Sequence, residues 1–327
     1  MDMRFLNKYK ERVNKMKNYA FGIDIGGTTV KIGLFSTEGE LLKKWEIPTR
    51  KDNGGCYILN DIAEAIAQEM EAQNITKEDI EGIGIDVPGP VLEDRIVNKC
   101  ANLGWGVLDV AAETTRLTGI KKVMVTNDAN AATLGEMWKG GGQGHKDLVM
   151  ITLGTGIGGG IVHDGKIISG AFGAAGEIGH ICVNKEETFA CGCGKKGHLE
   201  QYASATGIVR KAQQVLDESA SPSMLRDETY LSCKAVFDCA KKGDDLSLKI
   251  LDFVGEQLGN ACAMISGVFD PEVYVIGGGV SKAGDMLTDL IREHFRKYAF
   301  HASTDAEFVL ATLGNDAGMY GAVKMVL

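Results

Sequence analysis

From Ala20 the chain runs into an apolar segment, Ala20-Phe21-Gly22-Ile23-Asp24-Ile25, breaks at Gly26-Gly27-Thr28-Thr29 and resumes as Val30-Lys31-Ile32-Gly33-Leu34-Phe35. Alternating β-branched residues about a Gly-Gly turn predict a hairpin. Ile58, Ile62, Ile66 and Met70 then recur at a helical interval, with Asp61, Glu64 and Glu71 left toward solvent. That spacing predicts an amphipathic helix. Short apolar strands are predicted at Gly82–Val87, closed by Pro88-Gly89-Pro90, and at Lys122–Thr126.

The same grammar returns further along. Leu148–Leu153 is apolar, Gly154–Gly160 is a Gly/Thr turn, and Ile161-Val162 resumes the strand. The two units lie about 127 residues apart, a weak internal repeat that a duplicated domain explains. Helical periodicity dominates from Ser204 to Gly267, interrupted by the polar stretch Glu218–Thr229, and a last strand, Val273–Ile276, enters Gly277-Gly278-Gly279. Strands followed by helices, twice over, predict an α/β protein of two lobes. The length of 327 residues agrees, at about 150 residues per domain.

Composition adds exclusions. Hydrophobic residues make up 44% and charged residues 24%, as in ordered globular proteins. A net charge of -9 argues against a dedicated nucleic-acid surface, which carries a basic excess. No apolar run approaches the roughly 18 residues of a membrane span, and no signal-peptide core is present. A soluble, cytoplasmic protein without nucleic-acid or membrane partners is expected. The basic segment Met1–Lys17 reads as a solvated helix or tail, part of an extension at 1–19. Eight cysteines without an export signal are expected to be reduced. The 43 glycines against 5 prolines do not read as linker; seventeen of them fall between Gly140 and Gly197.

Three glycine turns follow apolar strands. Glycine lets the backbone approach a ligand, so successive amides can converge on phosphate oxygens. Thr28, Thr29 and Thr155 add hydroxyls inside two of these turns, which suits polyphosphate. Asp24 is suited to holding a hydrated Mg²⁺ beside them, and Lys31 to adding a point charge, although a solvated strand lysine has the same sequence appearance. Neither GxGxxG nor GxxxxGK[ST] fits the first turn. Gly154-x-Gly156-x-x-Gly159 fits the former, but a strand follows it and not a helix, so the dinucleotide context fails.

Two further groups carry candidate chemistry. Asn127-Asp128 follows a strand, where such a pair ordinarily caps a helix. A carboxylate at a strand end can equally accept a proton from a substrate hydroxyl. His180, Cys191, Cys193 and His198 offer two thiolates and two imidazoles, the donor set of a closed structural Zn²⁺ site. The Cys-x-Cys spacing is tighter than usual and does not decide the matter alone.

These motifs carry a resemblance. Asp24-Ile-Gly-Gly-Thr-Thr-Val-Lys31 and Leu153-Gly-Thr-Gly-Ile-Gly-Gly-Gly160 resemble the two phosphate motifs of the sugar-kinase/Hsp70/actin superfamily. Asn127-Asp-Ala-Asn-Ala-Ala132, Gly176-Glu-Ile-Gly-His180 and Cys191-Gly-Cys-Gly-Lys-Lys-Gly-His-Leu-Glu200 look like the ROK (repressor, open reading frame, kinase) family, from about Phe21 to Gly314–Ala322. Val87-Pro-Gly-Pro90, Ala101-Asn-Leu-Gly-Trp105 and Tyr202-Ala-Ser-Ala-Thr-Gly207 are most similar to its bacterial glucokinases.

The resemblance implies an actin-like, ribonuclease H-like duplicated ATPase fold with a cleft between two lobes. Residues 20–127 with 313–327 would form the smaller lobe, and 128–312 the larger, carrying the zinc loop and adenosine site. It implies ATP-dependent phosphorylation of D-glucose at the 6-hydroxyl, with Asp128 as general base. Asn102, Asn127, Asp128, Glu177, His180 and Glu200 would contact the sugar, although Glu200 alone would pass for a surface residue opening a helix. Asp24, Gly26, Gly27, Thr28, Thr29, Lys31, Gly154, Thr155 and Gly156 would hold ATP phosphates and Mg²⁺, with Gly277, Gly278 and Gly279 beside the nucleoside. His180, Cys191, Cys193 and His198 would bind structural Zn²⁺, His198 standing where the family has Cys. Family members are commonly homodimers or homotetramers. Alternatives are a kinase for N-acetylmannosamine, fructose or another hexose, and a sugar-sensing repressor, for whose winged-helix region the residues before Ala20 look too few.

Overall fold

The structure, a computed structural model, describes residues 17–327. The basic extension up to residue 16 lies outside the described residues. Two compact units are formed, one from the described residues through Gly135 together with Asp316–Leu327, the other from Glu136–Asn315.

In the first unit the predicted hairpin is β1 (Tyr19–Ile25) and β2 (Thr29–Ser36), paired antiparallel from Tyr19–Ser36 to Ile25–Val30. Strand β3 (Leu41–Pro48) extends it on the outside. The hydrophobic pattern did not mark β3, because Lys43, Lys44 and Glu46 occupy it and leave it mostly exposed. Charged side chains of this kind suit a sheet edge. Helix α1 (Ile58–Ala72) buries Ile58, Ile62, Ile66 and Met70, the face read from the sequence. Strand β4 (Ile80–Val87) lies parallel to β1. A small sheet of β5 (Val91–Leu92), β6 (Ile96–Cys100) and β7 (Trp105–Asp109) follows. Helix α2 (Val110–Thr118) leads to β8 (Val123–Asn127), parallel to β4, and then to α3 (Asp128–Lys139). The main sheet has the order β3-β2-β1-β4-β8.

The second unit repeats that plan. Strands β9 (Leu148–Leu153), β10 (Ile157–His163) and β11 (Lys166–Ile167) form an antiparallel run. Helices α4 (Glu200–Ala203), α5 (Ala205–Glu218), α6 (Cys233–Lys241) and α7 (Asp245–Ser266) precede β12 (Val273–Gly277). Helix α8 (Asp285–Tyr298) and β13 (Glu307–Leu310) complete the unit. The sheet order is β11-β10-β9-β12-β13, with β9, β12 and β13 parallel. Position for position this matches the first sheet: an antiparallel three-strand run whose innermost strand begins a parallel set. The duplication inferred from two glycine turns therefore extends over whole sheets.

Helix α9 (Ala317–Lys324) returns to the first unit. It packs on β1 and β4 where Gly22 and Gly84 leave room. A Cβ on Gly84 would stand 1.7 Å from the Ala322 carbonyl oxygen, and one on Gly22 2.3 Å from that of Met319. The division between the units falls inside α3, at Gly135, and not before Asp128 as read from the sequence. The first turns of α3 pack against α9, with a Cβ on Gly321 meeting the Ala131 carbonyl oxygen at 1.7 Å. No helix among the described residues is long and apolar enough to cross a membrane, and all eight cysteines are free thiols.

Candidate active site

The hairpin turn after β1 is closed by the Gly26 N–H donating to the Thr29 carbonyl at 2.9 Å. Thr49, just past β3, braces it: its hydroxyl donates to the Gly26 carbonyl at 2.7 Å and its N–H to that of Thr28 at 2.9 Å. Neither Gly26 nor Gly27 has positive φ. Gly27 contributes bare backbone, since a Cβ there would meet nothing within 4 Å, whereas one on Gly26 would stand 2.9 Å from the Thr29 carbonyl oxygen. Lys31 faces Asp24 across the hairpin register and its Nζ lies 2.9 Å from Asp24 Oδ2. Burial works to lower the Lys31 pKa, but the hydrogen bond and charge of Asp24, with Asp86 and Asp316 behind, raise it overall.

At the end of β8, Asn127 Oδ1 accepts the Asn130 N–H at 2.8 Å, the geometry of a helix N-cap. Asp128 opens α3, and its Oδ1 accepts the Ala129 N–H at 2.8 Å and the Asn127 amide at 3.1 Å. The cap falls to Asn127 while the Asp128 carboxylate is held at the helix end, where the dipole favours negative charge. Asn102 sits in the same unit on an exposed turn, Ala101–Leu103, between β6 and β7.

Asp86 was not anticipated. It occupies β4 directly opposite Asp24 on β1, is fully buried, and neither carboxylate oxygen accepts a hydrogen bond. Burial first, then the charges of Asp24 and Asp128, push its pKa well above the usual carboxylate range. Asp24, facing it across the β1–β4 register, is thus the carboxylate that most raises the cost of ionising Asp86 after burial itself. The signal in the sequence was one charged residue inside the apolar run Ile83-Gly-Ile-Asp-Val87.

In the second unit the turn after β9 is held by the Gly154 N–H on the Gly156 carbonyl at 3.0 Å. The start of α5 clasps it: the Ala205 N–H donates to the Gly154 carbonyl at 2.8 Å, and the Thr206 hydroxyl to that of Thr155 at 2.8 Å. The turn Gly277–Gly279 stands beside it. Gly278 has φ 83° and a Cβ there would lie 2.5 Å from the Leu153 carbonyl oxygen, so glycine is required on both counts. A cavity of about 220 Å³ lies by Gly279, lined by Ala205, Cys233, Phe237 and Val280, with Lys234 and Lys282 also on its wall.

Glu177 precedes the single helical turn Ile178–His180, so the spacing of three places its Oε2 3.8 Å from His180 Nε2. This segment lies close along β10: a Cβ on Gly159 would meet the Gly176 carbonyl oxygen at 2.9 Å. Glu200 begins α4, and a Cβ on Gly156 would stand 2.9 Å from its Oε2. Its Oε1 is 4.0 Å from His180 Nδ1.

His180, Cys191, Cys193 and His198 come together, one ligand atom from each lying within 4.8 Å of the others. His180 Nδ1 and His198 Nδ1 are 3.1 Å apart, Cys191 Sγ is 3.1 Å from His198 Nδ1, and the two sulfurs are 3.0 Å apart. That separation is too long for a disulfide, and Cys193 pushes the Cys191 thiol above its usual pKa. Two thiolates and two imidazoles converging in this way fit a closed tetrahedral ion such as Zn²⁺. The loop before Cys191 is anchored by Glu187. Its carboxylate accepts the Phe189 N–H, the Tyr202 hydroxyl and the Arg210 guanidinium, which hold its pKa down at about 2.

A family model described as "ROK family" matches residues 20–327. The chain belongs to the ROK family. Among ROK relatives, a glucokinase of Halalkalibacterium halodurans is 45% identical over 92% of this chain and 92% of its own length. A glucokinase of Thermotoga maritima is 37% identical over 93% and 96%. The crystal structure of a ROK family glucokinase from Streptomyces griseus, in complex with glucose and AMPPNP, matches with a TM-score of 0.68 and 34% identity over 94% of this chain and 98% of the other. The two matching sheets are thus the halves of the actin-like ATPase fold shared by ROK kinases.

Proposed function

We propose that this protein is an ATP-dependent glucokinase, transferring the γ-phosphoryl group of ATP to the 6-hydroxyl of D-glucose. Similarity to glucokinases along nearly the whole chain carries the reading, one of them solved with glucose and an ATP analogue. The local geometry supports it.

A sugar hydroxyl is a poor nucleophile until its proton has somewhere to go. In this reading the glucose O6 proton passes to the Asp128 carboxylate as O6 bonds to the γ-phosphorus. The bond from that phosphorus to the β–γ bridging oxygen breaks, and ADP leaves. Asn127 keeps Asp128 at the head of α3. Asn102, Asn127, Glu177, His180 and Glu200 fix the remaining hydroxyls, and paired polar contacts of this kind reject sugars that lack them.

The turns at Gly26–Thr29 and Gly154–Gly156 present amides and hydroxyls to the phosphates, and the cavity beside Gly279 takes the nucleoside. When bound, Mg²⁺ neutralises charge across the β- and γ-phosphates. Asp24, whose Oδ2 also lies 2.9 Å from Lys31 Nζ, would hold it. Zn²⁺ in the Cys191–His198 cluster would be structural, fixing the tautomer and orientation of His180.

The deciding experiment is a coupled assay of purified protein with ATP and a panel of hexoses. Glucose is expected to be turned over best. Brisk turnover of another hexose with none of glucose would overturn the assignment.

A further inference from the structure

Asn53, Gly54 and Gly55 take φ values of 51°, 71° and 71°, three successive residues in the left-handed region. This left-handed stretch is seated on the segment that follows Asn102. A Cβ on Gly55 would stand 2.2 Å from the Leu103 carbonyl oxygen and 2.8 Å from Trp105 Nε1. From the other side, a Cβ on Gly104, φ 78°, would stand 3.0 Å from Gly54 Cα. Two backbones therefore meet with no room for a side chain between them.

One directional bond joins them. Trp105 is 6% exposed and its indole N–H donates to the Gly55 carbonyl at 3.0 Å, a buried hydrogen bond. Gly54, Gly55, Leu59, Trp105 and Leu108 border a cavity of about 310 Å³. Leu103 and Trp105 are themselves buried in the hydrophobic core with Leu59, so apolar packing fixes the depth of the segment, and the indole bond with the glycine contacts supplies its directional link to Gly55. The Ala101–Leu103 turn directly precedes this seam and carries Asn102 into solvent.

We propose that Trp105 is a positioning residue for the sugar: its indole bond to Gly55 sets the Ala101–Leu103 turn and, through it, the Asn102 amide. The proposal rests on the glucokinase reading, in which Asn102 contacts the hexose. A displacement of about 1 Å in a positioning group can cost a large factor in productive binding.

The test is Trp105→Phe, which keeps an aromatic ring and removes the N–H. Loss of one buried hydrogen bond is expected to raise the glucose KM about tenfold. The ATP KM and kcat should stay within about twofold, since neither depends on Asn102 in this scheme. Asn102→Ala and the double variant complete a cycle, in which W105F should add little once Asn102 is gone. An unchanged glucose KM overturns the proposal. So do equal losses in all three parameters, or full additivity with N102A. If W105F does not fold, benzothienylalanine at 105 replaces the indole N–H by sulfur and makes the same comparison at one atom. A wild-type protein that ignores glucose counts against the glucokinase reading alone, and the cycle is then run on the hexose it does turn over.

Discussion

His180 Nδ1 and His198 Nδ1 face each other at 3.1 Å, with the sulfurs of Cys191 and Cys193 beside them. A zinc ion in this cluster would leave His180 Nε2 on the side of Glu177. Cys191→Ser should release the metal, measured by elemental analysis, and lower activity. Because the cluster would act through His180, the glucose KM should rise more than the ATP KM. Full activity in protein shown to be metal-free would contradict this role.

Asp128→Asn should lower kcat by about 10²–10⁴, the range for loss of a general base, with little change in thermal stability. Asn127→Ala should behave differently, costing about 1 kcal/mol of stability through the lost cap as well as weakening sugar binding. Steady-state kinetics beside thermal melts separates the two. Similar kcat for D128N and wild type would remove Asp128 from the reaction.

Asp86 gives a pH prediction. Its folded-state pKa is raised by burial and by Asp24 and Asp128. Its contribution is fully present below the unfolded pKa of about 3.9 and is lost as pH rises through the folded value. The native protein therefore carries a cost at neutral pH. Asp86→Asn should raise Tm by about 2–4 °C near pH 7.5, and the gain should shrink toward pH 4. Melts across that range would show a constant or growing gain in acid if the account is wrong.

Glu136 is fully buried within the second unit, yet each oxygen is satisfied. Oε2 accepts the N–H groups of Gly141 at 2.8 Å and Thr312 at 2.9 Å, and Oε1 accepts that of Leu313 at 2.8 Å. Glu136→Gln must turn an amide donor toward one of these donors. The expected loss is about 1–3 kcal/mol, read by denaturant unfolding; an unchanged midpoint would show that the cradle relaxes freely.

Most of this architecture was legible because hydrophobic period and glycine turns are local signals. The β1–β2 hairpin and the α1 face follow from them directly; the repeat at β9–β10 does too, except that Gly158–Gly160, read as part of the turn, lie inside β10, which begins at Ile157. Strand β3 was not legible, since its lysines belong to an edge where alternation carries little burial. Asp86 was passed over because a strand-interior carboxylate acquires meaning only when β1 brings Asp24 opposite it. The Cys/His cluster needed the chain to bring His180 back to the Cys191–His198 loop, which spacing alone left open. Glycine's role also changed. Gly26, Gly27, Gly154 and Gly156 lack positive φ, so at these positions access matters and handedness does not.

The docking of α9 has a consequence for synthesis. The glycines of β1 and β4 wait for a helix separated from them by the whole of Glu136–Asn315. As the polypeptide leaves the ribosome, the second unit has all its parts before the first does. Domains commonly fold in N-to-C order during translation, and here that order is expected to reverse. The earliest-made strands would keep one apolar face uncovered until α9 arrives, which makes that interval the time of greatest dependence on chaperones.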